Sequence, residues 1–257
     1  MAILLTGSVT GRLRPRQGQK ITTVPVVRPA SSGWGAAEHV RVADMTVPAT
    51  LDNPLFARIW TFMSSRETSW LRDRRRENLA GLSGRVLEVG AGTGSNFGYY
   101  PDTVTEVVAV EPESRLRGVA QAAAAAAPVP VTVVASTVEA LDDGSATFDA
   151  AVCSLVLCSV QRPEDVLAQL LKVIKPGGQL HYFEHIASSG VRGRLQKLAD
   201  ATVWPRLFGN CHTHRQTEQL ISAAGFSVTT SRRGHQFPAW APVPVSEFAL
   251  GTATRPA

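Results

Sequence analysis

The stretch 86–101, VLEVGAGTGSNFGYYP, decides how this sequence is interpreted. An apolar run is followed by an acid and by three alternating glycines at positions 90, 92 and 94. A glycine-rich turn between a strand and a helix lies at the carboxyl edge of a parallel sheet, where nucleotides bind. Ser95 stands where the dinucleotide fingerprint G-x-G-x-x-G has its third glycine. The turn therefore indicates a nucleotide-type ligand that is not a dinucleotide.

The pattern around this turn is an alternation of strands and helices. We predict one or two amphipathic helices within 54–80, strands at 85–89, 106–112, 131–136, 148–157 and 179–186, helices at 114–127, 163–175 and 213–225, and closing strands at 226–233 and 245–253. Such alternation is typical of βαβ crossovers, whose helices cover both faces of a parallel sheet. The predicted fold is therefore α/β, a doubly wound, seven-stranded and mostly parallel Rossmann-like sheet with the last strand antiparallel.

The positive charge of the chain is concentrated at its start. Residues 1–44 hold six basic and two acidic side chains, which is +4 of the formal net charge of +5. Because the rest of the sequence is nearly neutral, we expect no nucleic-acid partner.

The same segment, 1–44, is rich in Gly, Pro, Ser and Arg and lacks apolar periodicity. We predict a disordered basic leader there and a single domain over 45–257. Met45 would itself make a plausible start, so the leader is either a dispensable tail or a mis-assigned upstream start.

Cellular location is inferred from the cysteines and the leader. The chain has three cysteines, an odd number that does not suit a framework of disulfides. Basic residues follow the first apolar patch, whereas in a secretory signal they precede it. No apolar run approaches the roughly 18–20 residues of a membrane span. We therefore expect a cytoplasmic protein with reduced thiols.

Two acidic residues near the glycine turn indicate the ligand. Glu88 precedes the turn, where a carboxylate disfavours a phosphate and favours a cation or hydrogen-bond donors. Glu111 lies 21 positions after Gly90, where a carboxylate accepts hydrogen bonds from ribose hydroxyls. Residues 137–139 follow the third strand, where an adenine edge would lie. S-adenosylmethionine has these groups and no phosphate, so we predict it as the cofactor.

Several motifs resemble one enzyme class. EVGAGTG, VVAVEPE, FDAAVCSLVLCSV and LLKVIKPGG are similar to class I S-adenosylmethionine-dependent methyltransferases over about residues 80–255. GTGSNFGYYP, YFEHIAS and FGNCHTHRQTEQLISAAGF resemble the small branch that includes animal thiol S-methyltransferases. Three features differ from that branch: the animal enzymes begin with a membrane-anchoring segment, their motif before the last helix has one histidine or none where this sequence has His212 and His214, and Asn210 here interrupts a Gly-Cys pair.

The resemblance and the acids together define a predicted cofactor site. It comprises Glu88, Gly90, Ala91, Gly92, Gly94, Asn96, Glu111, Pro112, Thr137, Val138, Glu139, Cys153 and Leu155. Cys153 lies within the predicted fourth strand, so inert packing is its alternative role.

The acceptor side is predicted from residues that follow the fourth and fifth strands. His185 is the candidate base or nucleophile-orienting group, and Glu184 is the second catalytic candidate, because strand alternation turns only one of the two towards the pocket. Cys158, His212 and His214 are predicted to contact the acceptor. No metal site is predicted, since neither the cysteine spacing nor the local histidines supply a full ligand set.

The segment 190–212 is predicted to be a lid-like insertion. Leu195, Leu198 and Ala199 form an apolar stripe with basic residues nearby. The stripe suits a lid over an apolar acceptor, ordinary core packing, or a helix resting on a membrane surface.

These features predict a methyltransferase of a small, fairly apolar acceptor, with a thiol favoured. C- or O-methylation of a quinone-like or phenolic ring and N-methylation of a lipid headgroup are the alternatives. A non-catalytic cofactor-binding protein is disfavoured because the cofactor motifs are intact. No oligomeric state is predicted.

Overall fold

The computed structural model describes residues 52–141, 147–202, 204–238, 240–241 and 243–257, together with two short backbone segments in the leader. These segments, Ile21–Val24 and Val40–Ala43, pair as antiparallel strands. The rest of 1–44 lies outside the described residues, as does Met45, so the predicted disorder and the alternative start remain predictions.

One seven-stranded sheet forms the domain. Its strands are β1 (Gly84–Val89), β2 (Val104–Val110), β3 (Val131–Val134), β4 (Phe148–Ser154), β5 (Ile174–His185), β6 (Ser227–His235) and β7 (Glu247–Thr254). Their order is β3-β2-β1-β4-β5-β7-β6, and β7 runs antiparallel to both of its neighbours. The predicted fold class is confirmed.

Helices cover both faces of the sheet. They are α1 (Pro54–Ser64), α2 (Ser69–Leu79), α3 (Ser114–Ala124), α4 (Pro163–Val173), α5 (Gly190–Asp200), α6 (Trp204–Leu207) and α7 (Thr217–Ala223). Local chemistry sets several of their starts: the Asn53 side chain accepts the Phe56 N–H before α1, and the Glu113 carboxylate accepts the Leu116 N–H before α3. None of the helices in the described ranges combines the length and apolarity that crossing a bilayer requires.

The central strands are buried on both faces because their alternate residues enter two separate cores. In β1, Leu87 and Val89 pack into one cluster, whereas Val86 packs into the other. In β4, Cys153 belongs to the first cluster and Val152 to the second. This double burial explains the near-continuous apolar runs of these strands.

The sheet order reverses direction between β1 and β4, which lie side by side. Ligands of doubly wound sheets bind at this switch point, outside the carboxyl ends of the strands. The glycine turn directly follows β1, and the predicted acceptor residues follow β4 and β5. Both halves of the predicted site therefore meet at one sheet edge.

Some predicted element boundaries are wrong for local reasons. The strand expected to reach residue 157 ends at Ser154, because Leu155 has a positive φ of 58° that breaks the extended backbone. The helix expected from residue 213 begins at Thr217, because the Thr213 and His214 amides donate to the Asp200 carboxylate instead. The start of this helix therefore depends on hydrogen bonds to Asp200, which lies 13 and 14 residues before the two amides.

Candidate functional site

The turn after β1 requires its glycines. Gly90, Gly92 and Gly94 have φ values of 62°, 59° and 76°, a region that side-chain-bearing residues rarely adopt. A Cβ at Gly90 would lie 2.4 Å from the Val156 side chain, and one at Gly92 would lie 3.0 Å from the Trp60 indole nitrogen. The turn is thus a close-packed backbone cradle between β4 and α1.

Glu88 anchors the segment that follows the turn. Its carboxylate accepts a hydrogen bond of 2.9 Å from the Asn96 amide and one of 2.6 Å from the Tyr100 hydroxyl. Arg75 donates in turn to the Asn96 carbonyl oxygen at 2.9 Å. Burial raises the pKa of Glu88 to about 7, against the opposing effect of the two hydrogen bonds. Asn96, predicted as a cofactor contact, thus has two protein partners in this network.

Glu111 joins the end of β2 to the glycine turn. Its carboxylate accepts the Gly92 amide at 2.7 Å and the Glu113 amide at 2.9 Å. Burial raises its pKa to about 7, and the two backbone hydrogen bonds oppose that rise. Each carboxylate oxygen retains a further acceptor site, which two ribose hydroxyls could fill. The glycine cradle and this carboxylate therefore fit the nucleoside of S-adenosylmethionine.

The remaining predicted cofactor residues divide into two groups. Ala91 and Pro112 lie beside these carboxylates, buried and half-buried respectively. After β3, Thr137 is half-buried, Val138 is in the core and the Glu139 side chain is exposed.

Of two further predicted cofactor residues, Cys153 belongs to the core and Leu155 is partly buried. Cys153 is fully buried within one of the two apolar clusters, because alternate residues of β4 face opposite sides of the sheet. Leu155 packs against the cluster of Phe183, Phe248 and Leu250. The assignment of Cys153 is corrected to packing, whereas that of Leu155 stays a prediction.

The carboxylate of Glu184 is hydrogen-bonded to the turn after β4 and does not face the acceptor. Its fully buried carboxylate accepts three backbone amides, from Val156, Leu157 and Cys158, at 3.0, 2.9 and 3.1 Å. Burial raises its pKa, and these three hydrogen bonds oppose the rise. The predicted catalytic role of Glu184 is corrected to positioning of the turn after β4, because its oxygens are directed at that turn.

His185 lies in a cluster that the sequence did not predict. Its Nδ1 is 3.7 Å from the Cys158 Sγ and 3.7 Å from the Cys211 Sγ, and the two sulfur atoms are 3.7 Å apart. All three cysteines of the chain are free thiols. The hydrogen bond with Cys211, together with burial, raises the pKa of Cys158 well above its usual range. We call these three residues the Cys-His-Cys cluster.

Backbone contacts fix the loop that carries Cys211. The His212 amide donates to the Cys158 carbonyl at 2.8 Å, and the Asn210 side chain donates to the Ser159 carbonyl at 2.7 Å. The Arg215 guanidinium donates to two carbonyls of the same turn, at 2.6 and 2.8 Å. The loop before α7 is therefore tied to the turn after β4.

His212 and His214 face a different space. Both line an open cleft of about 560 Å³ between α4 and α7, with Asp200 and Arg215. Cys158 and His185 are not among its lining residues. The structure thus brings Cys158 and His185 together but places the two other predicted acceptor contacts in a neighbouring cleft.

The lid-like segment buries a face other than its apolar stripe. Leu198 is 62% exposed and Leu195 is 39% exposed, whereas Gln196 is fully buried. The Gln196 side chain accepts the Ser188 amide and donates to the carbonyls of Ile186 and Pro244. Ordinary core packing of the stripe, one of its three interpretations, is therefore wrong for these two leucines.

Sequence reasoning missed four residues of the site. Tyr100 belongs to a motif that carries the resemblance, and Arg75 and Trp60 lie within the predicted helical range 54–80. Cys211 gave no local signal, since its partners lie 53 and 26 positions away. The contacts of Cys211 with Cys158 and His185 are therefore visible only in the folded structure.

Comparisons with known proteins show that the chain is similar to methyltransferases. Residues 87–182 match a family model described as a methyltransferase domain. The chain is 30% identical to the mouse thiol S-methyltransferase TMT1B over 214 residues, which span 78% of this chain and 86% of that protein. It is 35% identical to a demethylmenaquinone methyltransferase of Renibacterium salmoninarum over 96 residues, 37% of this chain and 39% of that protein.

A solved structure shares the fold at low identity. The N-methyltransferase NodS of Bradyrhizobium japonicum, in complex with S-adenosyl-L-homocysteine, superposes with a TM-score of 0.59 at 14% identity. The match covers 80% of this chain and all of that one.

Proposed function

Because this chain belongs to the class I S-adenosylmethionine-dependent methyltransferases, in the branch that contains thiol S-methyltransferases, we propose that it methylates a small, fairly apolar thiol. The observation that carries the proposal is the Cys-His-Cys cluster at the carboxyl ends of β4 and β5. Among the described residues, no aspartate or glutamate joins this cluster. Two buried thiols and a half-buried imidazole form a sulfur-rich cluster that suits a soft acceptor.

The reaction places modest demands on the acceptor side. S-adenosylmethionine supplies a methyl group made electrophilic by its sulfonium. A thiol with a pKa near 8.5 is already a few per cent thiolate at neutral pH, so it needs no strong general base. Alignment of donor and acceptor in a water-poor pocket lowers the activation free energy by up to about 7–11 kcal/mol. This agrees with a site whose nearest carboxylate, Glu184, is held by three backbone amides.

On the cofactor side, each group has a distinct task. The glycine turn lets the backbone approach the ligand, and Glu111 offers its remaining acceptor sites to the ribose hydroxyls. Glu88 holds the segment containing Asn96 and Tyr100 against β1, which fixes the shape of the turn. None of these residues has to change its protonation state during methyl transfer.

The acceptor class is tested by a radiolabelled-methyl screen with the purified full chain. Small alkyl and aryl thiols, phenols, quinols and amines of similar size are compared at equal concentration, with products identified by mass. We expect labelled thioethers from the thiols and at least tenfold less product from the other classes. Turnover confined to a quinol or phenol would overturn the proposed thiol acceptor and favour the alternative below.

The cofactor assignment has its own test, the variant Glu111→Ala. Loss of a buried acceptor of two hydroxyl hydrogen bonds should weaken S-adenosylhomocysteine binding by about 1–3 kcal/mol, measured by calorimetry. Asp102→Ala, which removes an exposed acid at the opposite end of β2, is the control and should bind as the parent does. Unchanged affinity in Glu111→Ala would contradict the role of this carboxylate.

C- or O-methylation of a quinone-like or phenolic ring is the second candidate. The half-buried imidazole of His185 favours it, because such acceptors gain from a nearby base. N-methylation of a lipid headgroup is favoured by a different observation, the exposed side chains of Leu195 and Leu198. The product identities from the screen separate all three.

Location and partners complete the proposal. Three free and buried thiols suit a reducing compartment, so we propose the cytoplasm. The nearly neutral domain supports a small-molecule acceptor over a nucleic acid.

A further inference from the structure

The Cys-His-Cys cluster has the dimensions of a metal site. Its three candidate ligand atoms, two Sγ and one Nδ1, form a triangle with all sides at 3.7 Å. Tetrahedral zinc with Zn–S near 2.3 Å and Zn–N near 2.0–2.1 Å places two sulfurs about 3.8 Å apart and a sulfur and a nitrogen about 3.6 Å apart. The triangle therefore matches three corners of a zinc tetrahedron without rearrangement.

We propose that Cys158, His185 and Cys211 bind one zinc ion, and that its fourth position takes the sulfur of the acceptor thiol. The second half of this proposal rests on the proposed function, whereas the first half does not.

The donor set selects the metal. Two thiolates and an imidazole suit zinc, while magnesium and calcium require oxygen ligands. Metal binding releases the protons of Cys158 and Cys211 to solvent, and two thiolates neutralise the divalent charge. The result is a neutral centre, which a buried site tolerates far better than an isolated ion.

The ligands are positioned before any ion arrives. The carboxylate of Glu184 holds the Cys158 amide at 3.1 Å, and the Cys158 carbonyl accepts the His212 amide, which directly follows Cys211. Such outer contacts orient metal ligands and affect metal affinity 10- to 100-fold. The two cysteine loops are thus linked through backbone, not only through their thiols.

The observed distances argue against a disulfide. A disulfide requires the two sulfurs to be about 2.05 Å apart, whereas Cys158 and Cys211 are 3.7 Å apart. A disulfide would also leave the imidazole of His185 without its two sulfur neighbours in their present geometry. A shared central ion would engage all three groups at their present distances.

Three protein ligands with an open fourth position are the pattern of catalytic zinc sites, whereas structural sites have four. Among the described residues, the cluster has no fourth His, Cys, Asp or Glu. Cys158 and Cys211 are buried and His185 is half-buried, so a ligand from outside would reach the cluster past the imidazole. The open position is therefore available to an acceptor.

The chemical step balances with a thiol at this position. The acceptor thiol gives its proton to solvent when its sulfur coordinates zinc. The new carbon–sulfur bond then forms as the methyl–sulfonium bond breaks, which yields a thioether and S-adenosylhomocysteine. The neutral thioether is a weaker ligand than a thiolate, so the next thiol can replace it.

The test begins with metal content. Full-length protein purified without chelators should contain about one zinc per chain by mass spectrometry. Cys158→Ala and Cys211→Ala should each lower zinc occupancy at least tenfold. Cys153→Ala is the matched control, because it also removes a buried thiol and should retain the ion.

Cobalt supplies a readout that does not depend on activity. In chelator-treated parent protein, Co²⁺ should produce thiolate-to-cobalt charge-transfer absorption with a tetrahedral ligand-field spectrum, and an acceptor thiol should shift that spectrum. Absence of zinc together with absence of the charge-transfer band in the parent would overturn the metal site, whether or not the variants fold.

The two halves of the proposal fail separately. A cobalt spectrum that saturating thiol leaves unchanged would overturn acceptor coordination while leaving the metal site supported. Thiol methylation that is equally fast in metal-free and zinc-loaded protein would also overturn that role, yet it would support the proposed function. Failure of the proposed function would show as an absence of labelled thioether in zinc-loaded protein that binds S-adenosylhomocysteine.

Discussion

The two halves of the sheet edge are built in opposite ways. On the cofactor side, Glu88 is 8 and 12 residues from its partners Asn96 and Tyr100, and Glu111 is 19 residues from Gly92. On the acceptor side, Glu184 is 26 to 28 residues from the amides it accepts. Members of the Cys-His-Cys cluster are 26 to 53 residues apart.

This difference in sequence separation has consequences for mutation. Cofactor-side carboxylates bind neighbouring segments of chain, so a change there affects a local turn and its ligand. The acceptor side exists only when three distant segments meet, so a change there affects folding and function together. The predictions below test that contrast.

The largest effect is expected for Glu184→Ala. The change leaves three amides without an acceptor, two of them buried and one part-buried, and a buried amide left unpaired costs about 1–3 kcal/mol. We expect the free energy of unfolding, measured in urea, to fall by at least about 3 kcal/mol. Zinc occupancy should fall in parallel, because the turn that carries Cys158 loses its brace.

The control for this variant is Glu164→Ala, which removes an exposed acid at the start of α4 and should change stability by less than about 0.5 kcal/mol. A loss in Glu184→Ala no larger than that of the control would contradict the bracing role.

A smaller effect is expected from the pH dependence of stability. Burial raises the pKa values of Glu88 and Glu111 from 4.5 to about 7, so the folded state binds these protons more tightly than the unfolded state. Their stabilising contribution is complete below the unfolded pKa and is lost as pH rises through about 7. For each group the loss is at most about 3 kcal/mol.

Urea unfolding of ligand-free protein between about pH 5 and 8 measures this slope. Glu88→Gln and Glu111→Gln should each flatten it, while Asp102→Asn should leave it unchanged. An unaltered slope in both glutamine variants would show that other groups carry the pH dependence.

The smallest effect is expected for Glu139→Ala. The side chain is exposed, so its removal should change S-adenosylhomocysteine affinity by less than about 0.5 kcal/mol. Calorimetry with S-adenosylhomocysteine on Glu139→Ala and Glu111→Ala compares the removal of an exposed and of a buried acid of the same predicted site. A loss as large as that of Glu111→Ala would show that the Glu139 side chain, and not the backbone, contacts the adenine.

Local patterns in the sequence predicted the fold and the conformation of the glycine turn. Apolar runs interleaved with amphipathic helices predicted the doubly wound sheet, because strand and helix periodicity are local properties. Alternating Gly90, Gly92 and Gly94 predicted a backbone cradle, and the structure gives all three a positive φ. The spacing of Glu111 predicted its place beside the turn, where it accepts the Gly92 amide.

The contacts on the acceptor side could not be predicted from the sequence and became apparent only in the tertiary structure. Residue types suggested that Glu184 was catalytic and that Cys153 contacted the cofactor, but hydrogen bonding and burial assign one to bracing and the other to the core. Parallel pairing of β4 with β5 aligns Ser154 with Phe183 and so brings Cys158 to His185. The loop tied to the Cys158 carbonyl then supplies Cys211. Strand register and long-range hydrogen bonds set these contacts, and neither leaves a periodic pattern in sequence.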